Sequence, residues 1–169
     1  MQSTVKLYSY NYTQARTYLF AALFVAGNIA LPQLFHLVPR GGMIWLPIYF
    51  FTLIAAYKYG WKVGLLTAVA SPLVNSALFG MPPVAGLPAI LTKSALLAVA
   101  AGIAANRYRR VSVPLLAAVV LSYQVAGSLL EWAYTGSLQA AAQDFRVGLP
   151  GMLLQVAGGY AIIRWAIRK

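Results

Sequence analysis

The chain is expected to be an all-α integral membrane protein: six transmembrane helices in one domain spanning 1–169, with both termini cytoplasmic. Three observations predict this. Of 169 residues, 61% are hydrophobic and 9% charged, whereas a water-soluble domain carries roughly a quarter of charged residues. Mean hydropathy is +0.72. Finally, 13 Lys and Arg stand against 2 Asp and Glu, a formal net charge of +11. The hydrophobicity excludes a soluble domain and a disordered chain alike. The cations do not gather on one polar face, which argues against a nucleic-acid binder. The apolar runs are long and do not alternate, so helices are favoured over barrel strands.

A helix needs about 20 mainly apolar residues to cross the hydrocarbon core. Runs that meet or approach this length lie at about 16–38, 43–58, 61–79, 84–106, 112–134 and 147–167. The second is short. Their connections are brief: Pro39-Arg40-Gly41-Gly42, Tyr59-Gly60, Gly80-Met81-Pro82-Pro83 and the basic turn Arg107-Tyr108-Arg109-Arg110, with a longer segment around 135–146. The first 15 residues lack the basic start, apolar centre and small-residue cleavage site of a signal peptide. They read as an interfacial segment anchored by Tyr8, Tyr10 and Tyr12.

With six spans, both termini share one side. Lys6, Arg16, Lys58, Lys62, Arg107, Arg109, Arg110, Arg164, Arg168 and Lys169 fall on that side, and Arg40 and Arg146 on the other. The excess of cations marks the cytoplasm. Lys93 belongs to neither side, because it falls about 10 Å into the fourth span at 1.5 Å per residue.

Two absences narrow the chemistry. There is no Cys, so no disulfide, thiol nucleophile or thiolate metal site is expected. Glu131, Asp144 and His36 are the sole acid, base or hard-metal candidates, too few for hydrolytic or metal-dependent catalysis. No catalytic residue, metal or cofactor is therefore expected, and binding or transport is the starting class.

Candidate binding residues are the polar groups that a bilayer should not tolerate. An ammonium at the depth of Lys93 is expensive unless it is paired or faces water. Gln124, Ser128, Glu131 and Thr135 recur at spacings of 4, 3 and 4 on one helix face. The sixth span offers Gln155 near Gly151, Gly158 and Gly159, and the third offers Ser71 and Asn75 around Pro72. One reading makes Lys93 and Glu131 a structural ion pair, with the amides bridging helices. The other is an outward-facing cavity for a small polar ligand, in which Lys93 meets an anionic group. Trp45 and His36 flank the first outer loop, as interface anchors or ligand contacts. Ala22, Ala26 and Ala30 form a smooth stripe on the first span, and Gly60, Gly64 and Ala68 another on the third. Such ridges serve internal packing or docking of another membrane protein.

Taken together these residues resemble the substrate-binding S component of energy-coupling factor (ECF) vitamin transporters. The resemblance spans nearly the whole chain. It rests on the length and the six spans, on Ala22-Leu23-Phe24-Val25-Ala26, and on Trp45-Leu46-Pro47-Ile48-Tyr49-Phe50 after a glycine-containing loop. Its most specific piece is Ser71-Pro72-Leu73-Val74-Asn75-Ser76-Ala77-Leu78-Phe79-Gly80-Met81-Pro82-Pro83, followed by an Ala-rich helix with a basic end. The chain departs from many members at Thr92-Lys93-Ser94, where an acidic residue is common in the family.

The resemblance implies a receptor in a prokaryotic plasma membrane, without ATPase activity of its own. It would capture a vitamin-like molecule from outside and dock on a transmembrane coupling protein driven by two cytoplasmic ATPases, which alone use ATP. The family's docking motif maps onto Ala22 and Ala26, with Ala30 continuing the stripe. The ligand is expected in the outer half against the last three helices, where Lys93, Glu131 and Gln155 lie; Asn75, Gln124, Ser128 and Trp45 complete the candidate binding set. Arg40, Gly41 and Gly42 together with Met81, Pro82 and Pro83 are expected to close over it. The rival readings are a scaffold protein of the cell envelope and a self-sufficient small carrier.

Overall fold

A computed structural model describes residues 5–166 of the chain. It is 82% helical, and the described residues contain no strand. The backbone polar groups are thus satisfied within each segment, the condition for crossing lipid. Arg168 and Lys169, counted above among the cytoplasmic cations, lie outside the described residues.

Four helices are long and apolar enough to span a membrane: α1 (Ala15–Phe35), α4 (Trp61–Phe79), α5 (Leu87–Tyr108, extended by a 3-10 turn from Val84) and α6 (Val113–Thr135). Their ends follow local chemistry. Ser112 caps α6 by accepting the Leu115 N–H, and Pro114 stands in its first turn, where a missing N–H costs nothing. Gly80 and Gly136 end α4 and α6 in the left-handed conformation, each at φ 67°.

The other two expected spans are interrupted. The 43–58 run is a short helix α2 (Gly41–Trp45), a 3-10 turn over Pro47–Tyr49 and a ten-residue helix α3 (Phe50–Tyr59). The break falls at Leu46, held in the left-handed region at φ 47°. The cause is legible in Pro47, whose ring excludes the preceding residue from the right-handed helical region. The last run is α9 (Leu149–Ala161), continued by a π turn over Ile162–Ala166. The 135–146 segment, expected as a connection, carries two short helices, α7 (Leu138–Ala141) and α8 (Gln143–Val147).

The core sits around α3, whose Leu53, Ile54, Ala55, Ala56 and Tyr57 are fully buried between α1, α4, α5 and α9. Small residues set how closely the helices approach. A Cβ placed on Gly64 would lie 2.3 Å from that of Ala56, so α3 and α4 meet nearly backbone to backbone. Large apolar side chains such as Leu19, Leu23, Ile103 and Leu129 face outward, the reverse of a soluble protein.

The two ends of the bundle differ. At the basic end an extended strap crosses the bundle: the Tyr8 N–H donates to Lys58 O and the Tyr10 N–H to Tyr59 O, at 2.8 and 3.2 Å. Tyr8 and Tyr10 stack with each other and with Tyr59. The buried Lys58 ammonium donates to Lys6 O. At the opposite, proline end lie the Pro39–Gly42 and Met81–Pro83 loops.

Candidate functional site

The two loops of the proline end face one another across a cavity of about 490 Å³. Arg40, Gly41, Gly42, Met81, Pro82 and Pro83 all line it, with His36 beside them. A second cavity of about 250 Å³ adjoins it, sharing Gly42, Met43, Ile48, Gly86, Ile90 and Gln143 as walls. Lys93, Glu131, Asp144 and Tyr49 line this inner chamber. The broken α2–α3 segment supplies one of its walls, and α9 supports that wall closely. A Cβ on Gly151 would lie 2.4 Å from the backbone of Trp45.

Lys93 is 3% exposed and sits between two carboxylates. Its Nζ donates to Asp144 Oδ2 at 2.9 Å and lies 2.7 Å from Glu131 Oε2. The second contact is a close ion pair, and Glu131 Oε2 is itself buried. Both carboxylate side chains are 13% exposed. Glu131 and Asp144 are the two acids of the whole sequence, and both are committed to this one lysine. The stem of Lys93 crosses α6 at Gly127, where a Cβ would lie 2.4 Å from its Cγ. Helical side chains lean toward the N-terminus of their helix, so the ammonium points back toward the proline end and reaches Glu131 one turn beyond Gly127.

A second polar layer adjoins this site. The Tyr123 hydroxyl donates to Gln155 Oε1 at 2.9 Å and accepts from Gln124 Nε2 at 3.1 Å. The Tyr123 ring lies 5.5 Å from that of Tyr49 on the chamber wall. Gln124 Oε1, Gln155 Nε2, Ser128 Oγ and Ser94 Oγ are buried without a hydrogen-bond partner among the described residues. A half-satisfied polar layer is uncommon in a packed interior.

The expected site residues therefore separate. Lys93 and Glu131 line the inner chamber, while Gln124, Ser128 and Gln155 lie outside both cavity walls. Trp45 is half-buried against Phe35, with ring centroids 5.5 Å apart. Asn75 belongs to a different network. It donates to Asn28 O and Ser71 O at 2.9 and 3.0 Å, and Asn28 in turn donates to Thr52 Oγ1 and Ser71 Oγ. This network binds α1, α3 and α4 together, away from both cavities. Asp144, Gly127 and Tyr49 are the residues that the sequence reading did not place at the site. Charge balance points to Asp144, since ionisable groups within a bilayer pair with one another and the sequence holds just one other acid.

Ala22, Ala26 and Ala30 are exposed on α1, opposite its buried stripe of Thr17, Ala21, Phe24, Asn28 and Pro32. Gly60, Gly64 and Ala68 are buried. Among the described residues no group of three metal-ligating side chains gathers. No family model, curated protein or solved structure matches the chain.

Proposed function

We propose that the chain is the substrate-binding S component of an ECF-type micronutrient importer, resident in a prokaryotic plasma membrane. In this reading α2–α3 and α9 with its π turn cross the bilayer beside the four long helices. The basic end then faces the cytoplasm, following the distribution of Lys and Arg. The proline end faces outward.

The observation that carries the reading is the pair of adjoining cavities at the proline end. The loops Arg40–Gly42 and Met81–Pro83 line the outer one, and Lys93, Glu131 and Asp144 converge in the inner one. A vestibule leading to buried charge is what a receptor needs, because intramembrane ionisable groups mark ligand sites and pathways. The exposed alanine stripe of α1 supports the second half of the reading. It would seat a transmembrane coupling protein driven by two cytoplasmic ATPases, with little side-chain interlocking to resist movement of one body against the other. The chain itself supplies no catalytic group in this scheme.

The test is purification of the full chain in mild detergent, followed by mass spectrometry of the small molecules that come with it, and reconstitution alone in liposomes. A stoichiometrically retained vitamin-like molecule, with no flux in the absence of ATPase partners, is the expected result. Absence of any retained molecule would favour a scaffold. ATP-independent flux would identify a self-sufficient carrier.

A further inference from the structure

We propose that the inner chamber takes a small organic cation, a ligand carrying an ammonium or quaternary nitrogen. This rests on the reading of the chamber as a ligand site and specifies the charge of what it binds. Lys93 taken alone suggests an anionic ligand. With Asp144 in place the sign reverses. One ammonium between two carboxylates carries a formal charge of −1, and all three side chains line the same chamber.

An anion at Lys93 would share the ammonium with two carboxylates that already contact it, and would be repelled by both. A cation meets the excess charge without breaking either contact. Glu131 and Asp144 both line the chamber, each side chain 13% exposed. The ring of Tyr49, 2% exposed, and Met43 stand on the same walls. An aromatic face attracts a desolvated cation through its quadrupole, and a thioether is a soft, polarisable neighbour. Of the other two cations at this end, Arg40 is exposed and lines the outer cavity, and Arg146 is exposed on α8 and lines neither cavity; solvent screens both. Within the low-dielectric bundle the excess carboxylate is screened far less.

The test is a calorimetric titration of the full chain in detergent with benzyltrimethylammonium and, separately, with benzenesulfonate. The expected result is saturable binding of the cation and none of the sulfonate. Glu131→Gln should weaken the cation by about tenfold, the loss of one charged contact. Lys93→Met, which removes the internal competitor, should bind it at least as tightly as the native chain. Thermal unfolding of both variants identifies any that fail to fold, and Asp144→Asn then serves as the alternative charge removal. Saturable binding of benzenesulfonate that is lost in Lys93→Met would overturn the proposal, as would absence of saturable cation binding. An anionic molecule retained through purification would keep the receptor reading and sink this one. Cation binding without any retained or transported nutrient would do the reverse.

Discussion

The Cγ of Lys93 occupies the space that a side chain at position 127 would fill, 2.4 Å from a Cβ placed on Gly127. The glycine is what lets a lysine stem cross α6 and bring its ammonium to Glu131. Gly127→Ala should therefore displace the stem near its base, where it cannot swing aside as freely as at its tip. A loss of about 1–3 kcal/mol is expected from overpacking of this kind. Thermal unfolding in detergent measures it, and an unchanged midpoint would show that the lysine lies elsewhere.

Removal of Lys93 tests how the charges depend on one another. Lys93→Met leaves two carboxylates close together and mostly buried, and breaking a buried ion pair from one side costs about 3–5 kcal/mol. The triple variant with Glu131→Gln and Asp144→Asn removes all three charges. It should recover most of the loss, since exchanging a whole buried ion group for neutral residues is often close to neutral. The comparison forms a mutant cycle. Equal losses in the single and triple variants would mean that the three residues are not coupled.

Asn75, an expected ligand contact, hydrogen-bonds across the packing of α1 and α4. Asn75→Ala removes two donations, to Asn28 O and Ser71 O. Asn28→Ala removes those from Asn28 to Thr52 and Ser71 and leaves the Phe51 N–H without its acceptor. Each should cost about 1–2 kcal/mol, within the range for interhelical hydrogen bonds in membranes and unpaired buried groups. Under the proposed function, neither should change the amount of small molecule retained by the purified chain. Loss of that molecule at unchanged stability would return Asn75 to the site.

What could be read from the sequence depended on the range of the interaction. Helices α1, α4, α5 and α6 are long apolar runs with local stop signals at Gly80, Arg109 and Gly136, so their extents follow from neighbours in the chain. The break at Leu46 was also written locally, in Pro47, but an apolar run hides it because hydropathy averages over the interruption. The partner of Lys93 was half legible. Glu131 lies on a polar helix face that periodicity exposes, whereas Asp144 comes from a short helix within a connecting segment. Which acid such a segment delivers, and where, depends on how α7 and α8 fold back on the bundle. The same limit applies to Asn28, a lone amide in α1 whose role appears once Thr52 and Ser71 are brought beside it.

The two stripes of small residues show the limit most clearly, and they supply the last prediction. Ala22, Ala26 and Ala30 and Gly60, Gly64 and Ala68 have the same spacing, yet the first stripe is exposed and the second buried. Burial depends on which side of each helix the rest of the bundle occupies, and the period of a pattern carries no such information. The stripes should therefore respond differently to bulk. Gly64→Leu must push α4 away from Ala56, where even a Cβ would approach to 2.3 Å. It should cost at least the roughly 1–3 kcal/mol of an overpacked core and reduce folded yield. Ala22 and Ala26 are exposed, so Ala22→Leu and Ala26→Leu should leave the unfolding midpoint and, under the proposed function, ligand retention as they are. Under the proposed function, uptake in cells that hold the coupling partners should fall to background, because the stripe would no longer be smooth. Normal uptake by a stable Ala22→Leu/Ala26→Leu variant would leave the α1 face to lipid and remove it from the docking scheme.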